Sequence, residues 1–378
     1  MRYVDTPAAV AEAARLTAEA AWSAIDTEAD SLHHYVEKLC LVQITIPGED
    51  IVGDPLAADL SPMVLPLQSK PLVMHGADFD IRMLKRAYGY FPVEVFDTML
   101  AAQYLGYEKQ GYADLVDRHC GVRLSKSSQK ADWSKRPLTE TMLDYAVNDT
   151  RHLHTLRTNM EAELRELGRL EWHRQHCRKL LKTLSAPEEA KGRDPEREWQ
   201  MKGSKDLKGA ALTVLREIWY WRDEEARRRD RPSFKVLNSE YLIEIARWAA
   251  ENPGGDVGNM PKAPSNVRRE LRDALNRVVR RAEAGPPAVW TNAPRPLERK
   301  RWTNEDEKRL LLLKAERQNL GAELKIHPSL IATNAVLEVV ACKAPQDREA
   351  LSALDCLMPW QQEVVAEKFL EITRKKQA

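Results

Sequence analysis

No stretch of the chain approaches the roughly 18 consecutive apolar residues that span a bilayer as a helix. Its opening, MRYVDTPAAVAEAARL, places acids where a signal peptide is apolar. A cytoplasmic protein with no membrane partner is expected. Cysteine is sparse as well: Cys40, Cys120, Cys177, Cys342 and Cys356 are odd in number, scattered, and form no CxxC pair. They offer neither a zinc nor a redox motif, and reduced, buried thiols are expected. An excess of one charge is also missing. With 58 basic and 57 acidic residues the formal net charge is +1, so any nucleic-acid contact must come from local basic clusters.

What is present is folded mass. The 378 residues exceed the about 100 to 200 of an ordinary domain, so two or three domains are expected. A hydrophobic fraction of 43% supports packed cores, and 30% charged residues cover their surfaces.

The first part reads as mixed α/β, because short runs rich in Val and Ile alternate with helical spacing. Residues 7–20 predict a helix. Strands are expected at 21–26, 39–46 (stopped by Pro47-Gly48), from Ile51-Val52, at 72–75 and at 93–96, with a helix over 80–88. Beyond Asp97 the pattern is helical, with segments at 101–105, 113–119 and one long helix over 140–170. A charged stretch poor in apolar residues reads as a linker. The expected division is 1–185, a linker over 186–204, a helical domain over 205–284, a Pro-rich linker over 285–298, and a second helical domain over 299–378. The segments from Leu237 and from Ile331 match position by position, Ser239 answering Thr333 and Glu244 answering Glu338 at an offset of 94. A duplicated helical module is one reading, and chance likeness of two capped amphipathic helices is the other.

Carboxylates carry the chemistry. Asp26 and Glu28 are two apart at the end of the first strand and project to one side of an extended backbone. Asp80 falls in the first turn of a helix, and Asp149 lies one turn after Tyr145 on a shared helix face. Such acids can converge at strand ends and helix starts. Hard cations such as Mg²⁺ or Mn²⁺ want oxygen ligands around an open cleft, and cations relieve the repulsion among converging acids. Two ions per active site could activate a water for attack on a phosphodiester, with Tyr145 hydrogen-bonded to that water. Each acid also has an ordinary explanation: a helix-terminal charge for Asp80, a surface pair for Tyr145 and Asp149, a solvated strand end for Asp26 and Glu28.

In combination the acids resemble the DEDD exonuclease superfamily, tyrosine subfamily, and within it the ribonuclease D family. Ile25-Asp-Thr-Glu28, Val73-Met-His-Gly-Ala-Asp-Phe-Asp80-Ile81 and Tyr145-Ala-Val-Asn-Asp149 are similar to its three motifs. Phe96-Asp-Thr-Met, Gly111-Tyr-Ala-Asp-Leu and Asp132-Trp-Ser-Lys-Arg-Pro-Leu138 extend the likeness over about the first 180 residues. It implies a ribonuclease H-like α/β exonuclease domain, metal-ligand roles for Asp26, Glu28, Asp80 and Asp149, and a water-positioning role for Tyr145. Asp97 is better read as a helix cap. The chain departs from the family in having Ala29 and Asp30 after the first motif, where a bulky residue is common. That puts substrate preference in question, and Asp30 reads as a solvated acid.

The helical half resembles two all-α HRDC domains, through Trp219-Tyr-Trp-Arg-Asp-Glu-Glu-Ala-Arg-Arg-Arg229 and Arg231-Pro-Ser-Phe-Lys235 in the first copy. Basic residues among aromatics suit phosphates and exposed bases, and equally a solvated helix face over core tryptophans. The polar loop over 124–137 offers Lys126, Lys130 and Arg136 to an RNA backbone. Its Trp133 either packs beneath the loop or stacks on a base. The resemblance therefore implies a 3′-to-5′ exoribonuclease that releases 5′-mononucleotides from RNA with a free 3′ end, such as transfer RNA precursors. A DNA exonuclease of the same superfamily and an inactive nucleic-acid scaffold stand as rivals. The oligomeric state stays open, a monomer included.

Overall fold

The computed structural model describes residues 1–125, 127–186, 195–290 and 302–374. The chain groups into two compact units. Unit 1 holds Met1–Glu28, Leu39–Ala186 and Glu298–Ala378, and unit 2 holds Ala29–Lys38 and Pro187–Leu297.

Unit 1 is built on a six-stranded sheet in the order β1-β4-β3-β2-β5-β6. Its strands are β1 (Arg2–Val4), β2 (Ser23–Ala29), β3 (Leu39–Ile46), β4 (Glu49–Gly53), β5 (Leu72–Met74) and β6 (Val95–Asp97). β3 and β4 are antiparallel, while β1 runs parallel to β4 and β2, β5 and β6 run parallel to one another. Gly48 turns the β3–β4 hairpin at φ +79, a left-handed conformation that glycine adopts without strain. Every residue of β3 is buried, Gln43 included, because helices cover both faces of the sheet.

Helices of two turns or more are numbered in chain order. Around the sheet lie α1 (Pro7–Glu19), α2 (Asp78–Tyr88), α3 (Thr98–Leu105), α4 (Tyr112–Cys120), α5 (Glu140–Arg151), α6 (Leu153–Glu166) and α7 (Leu170–Ser185). The single long helix expected over 140–170 is two helices divided at His152. The break lets α5 pack on β3 and β4 while α6 packs on α3 and α4. A first strand missing from the sequence reading, β1, is only three residues long, too short to show an alternating pattern.

Unit 2 contains α8 (Gly209–Arg228), α9 (Ser239–Glu251) and α10 (Arg272–Ala284) around Trp199, Leu215, Ile218 and Trp219. Trp199, Ala288 and Trp290, in stretches expected to be linkers, belong to this core or pack on it. The segment Ala29–Lys38 is held here too. Tyr35 donates its hydroxyl to Asp223 (2.8 Å) and its backbone N–H to Asp230 (3.1 Å). Asp30 is fully buried, not solvated as expected, and accepts from the Lys38 N–H at 2.7 Å.

The C-terminal helices α11 (Asn304–Leu324), α12 (Asn334–Lys343) and α13 (Pro359–Arg374) share the core of unit 1. Trp360 of α13 stacks on Trp172 of α7, ring centroids 4.4 Å apart, and meets Tyr104 edge-on. Arg169 donates to the carbonyls of Tyr104 (2.8 Å) and Leu324 (2.6 Å), tying α3 to α11. Gly106, at φ +75, lies so close to the Lys325 carbonyl that a Cβ would collide with it. In the two segments that match in sequence, helices begin at Ser233 and Pro328 and again at Ser239 and Asn334. That spacing is one residue more than matching by residue type suggests, because Asn238 caps the first copy and Thr333 the second.

Candidate active site

β2 continues through Ala29, so Asp26 and Glu28 lie inside the strand rather than at its end, separated by the inward-facing Thr27. Alternation puts both acids on the face that meets α5. Asp149, in the last turn of α5, completes a cluster in which one oxygen of each acid lies within 4.8 Å of the others. Asp80, in the first turn of α2, lies outside that 4.8 Å group, but its charge acts on all three acids. One of its oxygens accepts from the Thr27 backbone N–H (3.1 Å) and hydroxyl (2.5 Å).

Asp97 fixes the start of α2 from the neighbouring strand. Its carboxylate accepts from Met99 and Leu100, capping α3 as expected, and also from the N–H groups of Gly76 (3.0 Å) and Ala77 (2.9 Å). The turn that carries Asp80 is thereby anchored to β6.

The electrostatics of the cluster are unfavourable on their own. Burial, with the charges of Asp80, Asp149 and Glu28, raises the Asp26 carboxyl well above the ordinary range. Burial and the charges of Asp149 and Asp80 push Glu28 up to about 9. Asp149 rises to about 7 through burial and Asp80, and Asp80 to about 6, where burial outweighs the Thr27 hydrogen bonds. Among the described residues no arginine or lysine pairs with any of the four, and the buried Oδ2 of Asp149 has no hydrogen-bond partner. A set of carboxylate oxygens without organic counter-ions fits hard divalent cations.

Tyr145 sits one turn before Asp149 and is half-buried. Its hydroxyl is raised far above the ordinary tyrosine range by burial and by Asp149, Glu28 and Asp26, so it keeps its proton. The Trp133 ring lies against it at 5.9 Å. A cavity of about 190 Å³, lined by Leu124, Ser125, Thr141, Asp144, Tyr145 and Asp149 among others, opens beside this pair.

The loop residues expected to touch RNA behave differently. Trp133 is 1% exposed and packs in a core cluster with Cys40, Leu41 and Val147, so it is unavailable for stacking on a base. Arg136 turns inward. It grips Asp54 in a two-pronged pair (2.5 and 2.7 Å) and donates to the carbonyls of Cys40, Trp133 and Lys135, engaging all five guanidinium hydrogens. Lys130 is exposed, and Lys126 lies outside the described residues. In unit 2, Trp219 is core, Arg222 is buried and donates to the Leu237 carbonyl, and Arg228 and Arg229 pair with Glu225. The aromatic-basic run there is largely structural.

Two positions escaped the sequence reading. Thr27 orients Asp80, and Tyr112 donates its hydroxyl to the Asn148 carbonyl at 2.7 Å, bracing the turn that carries Asp149. Thr27 lies between two candidate ligands, and that adjacency was a usable signal. Tyr112 had none.

A 3′-5′ exonuclease family model matches residues 1–165, and an HRDC domain model matches 211–254 and 306–373. The chain is 30% identical to the ribonuclease D of Nitrobacter hamburgensis over 381 aligned positions, 98% of this chain and 95% of the relative. A solved protein from Bifidobacterium adolescentis superposes with a TM-score of 0.76 at 22% identity, covering 99% of this chain and 97% of its own. The structure of Escherichia coli RNase D, described as an exoribonuclease involved in structured RNA processing, does so with a TM-score of 0.67 at 22% identity, covering 100% and 99%.

Proposed function

The chain belongs to the ribonuclease D family and is a 3′-5′ exoribonuclease dependent on divalent metal; from that premise we propose how its residues divide the work. Asp26, Glu28, Asp80 and Asp149 would hold two ions, Mg²⁺ or Mn²⁺. The observation that carries this reading is the convergence of Asp26, Glu28 and Asp149 within 4.8 Å with no basic partner. When bound, the ions supply Lewis-acid stabilisation of the charge that develops on the phosphodiester oxygens and make water a competent nucleophile near neutral pH.

The protein's own groups do the rest. Thr27 holds Asp80 with one oxygen engaged, so the carboxylate cannot rotate away from the cluster. Tyr145 Oη retains its proton and, one turn from Asp149, hydrogen-bonds the attacking water and fixes its orientation toward phosphorus. Trp133, packed on the Tyr145 ring, holds that hydroxyl in place. The 3′-terminal nucleotide enters beside Tyr145 and Asp149, and a 5′-mononucleotide leaves. Precursors of transfer RNA and other stable RNAs are the substrates this reading favours. The domain division proposed with it is an exonuclease domain over 1–185 followed by HRDC domains over 205–284 and 299–378.

The test is digestion of 5′-labelled single-stranded RNA with Mg²⁺ or Mn²⁺, beside a 3′-phosphorylated control and matched DNA. A ladder shrinking from the 3′ end, lost in Asp149→Asn, is expected. Faster consumption of DNA would move the enzyme to DNA metabolism, and RNA bound but left intact would make it a scaffold.

A further inference from the structure

Away from the carboxylates, α7 and the turn entering α13 enclose a cavity of about 550 Å³, within the range of ligand sites. Arg178, Lys179 and Lys182 form its basic side, and Leu357, Met358 and Pro359 its apolar side. The three cations share one face of α7 because residues three and four apart on a helix are neighbours. Arg178 is paired with Glu171, whereas Lys179 and Lys182 are exposed and form no ion pair among the described residues. Asp355 is the one acid among the lining residues.

The turn that forms the apolar side is held rigidly. The 16-residue helix α13 begins at this cavity with Pro359, and the Met358 N–H is taken up by Gln361 Oε1. Gln175 accepts the Trp360 N–H at 3.0 Å and fixes the turn against α7. The cavity also adjoins a second one of about 400 Å³ through Arg178, which lines both; the second adds Glu94 and Arg174, the latter paired with Glu161. The two cavities together are longer than a single small anion needs, with Lys179 and Lys182 as the exposed cations at one end.

The paired cavities start near the catalytic end of the sheet and run away from it. His173 sits at the Asp97 carbonyl (3.0 Å), at the end of β6 nearest the acids, while Cys177 and Leu181 line the cavity beside Val93 and Val95 at the other end. At a rise of ~1.5 Å per residue, Lys182 lies roughly 13 Å beyond His173. We propose that this cavity is a subsite for the RNA substrate upstream of its 3′ end, with phosphates at Lys179 and Lys182 and a base against Met358 and Pro359. The proposal rests on the exoribonuclease reading above.

The experiment uses the full chain, single-stranded RNA of about 4 and of about 20 nucleotides, and the variant Lys179→Glu/Lys182→Glu. Binding is read by fluorescence anisotropy in EDTA, turnover with Mn²⁺, and folding by the thermal midpoint. For the longer RNA we expect roughly tenfold weaker binding and a log Kd against log salt slope shallower by about 1.4, at ~0.7 per phosphate contact. Binding and turnover of the short RNA should be unchanged. Unaltered binding of the longer RNA, or equal losses at both lengths, overturns the proposal. So does adenosine 5′-monophosphate bound by wild type but not by the variant while RNA binding is intact, since that assigns the cavity to free nucleotide. Failure of wild type to degrade the short RNA would instead count against the exonuclease reading, while the anisotropy arm still reports on the cavity.

Discussion

Replacing Asp149 by asparagine should make the metal-free protein more stable while abolishing its activity. Asp149 is raised from 3.8 to about 7 by burial and by Asp80. Its folded form therefore holds a proton more tightly than the unfolded chain, so this group's contribution to stability is full below pH 3.8 and is lost as pH rises through 7. At ~1.36 kcal/mol per pH unit, the rise from 3.8 to about 7 makes the ionised group cost about 4 kcal/mol above pH 7. Asparagine has the same shape and no charge. In EDTA at pH 8 the variant should melt above wild type by about 8 °C, at ~2 °C per kcal/mol for a unit of this size, and the difference should vanish near pH 4. Saturating Mn²⁺ should raise the wild-type midpoint and leave the variant nearly unmoved, while turnover falls roughly 10³-fold. Scanning fluorimetry from pH 4 to 8, with and without Mn²⁺, reads all of this. A variant that melts below wild type in EDTA at pH 8, or that gains as much from Mn²⁺, would refute the reasoning.

Thr27→Val removes one of the two hydrogen bonds that orient Asp80; kcat should fall about tenfold with KM little changed, as for loss of a bond to a charged group, and steady-state kinetics decides it. Arg136→Met leaves Asp54, 2% exposed, without its two-pronged partner. With the Arg136 side chain 26% exposed, the loss by urea denaturation should be about 2–3 kcal/mol, with the KM for RNA unchanged. Burial works against the Asp54 charge, but Arg136 and Tyr3 hold its carboxyl below the ordinary range, so the pair's contribution is present at neutral pH and fades as pH falls. His173 is pushed from 6.5 down to about 4, chiefly by burial. Its contribution to stability is full above pH 6.5 and should decline by ~3 kcal/mol toward pH 4, and His173→Gln should flatten that part of the profile.

The sheet and the acid cluster were legible in the sequence wherever the signal was local. β3 was read with its bounds because eight consecutive buried residues end in a glycine turn. The acids were found because their spacing on β2 and α5 survives as motif. β2 was read too short, since Asp26 and Glu28 look like a strand leaving the core when they are the polar members of a strand that stays in it. What was misread depends on partners far along the chain. Arg136 offers itself as a phosphate ligand until Asp54, 82 positions earlier, is seen to hold it. The role of Thr27 exists only through Asp80, 53 positions on. α13 lies in a stretch that matches an HRDC model and at the same time closes the core of unit 1, where Trp360 stacks on Trp172.

These long-range contacts also explain how an unfavourable cluster is kept. Four carboxylates with raised pKa values and no basic partner would spread apart if their supports were soft. Each support here is anchored on a buried element: Asp26 and Glu28 on a central strand, Asp80 through Thr27 and the Asp97 clamp, Asp149 through the Tyr112 brace. The core that holds them extends through α3 and α7 to the C-terminal helices. Destabilising that core at Trp360 should therefore loosen the acids even though the residue touches none of them. The helices that close unit 1 thus help to hold a site that, without metal, works against folding.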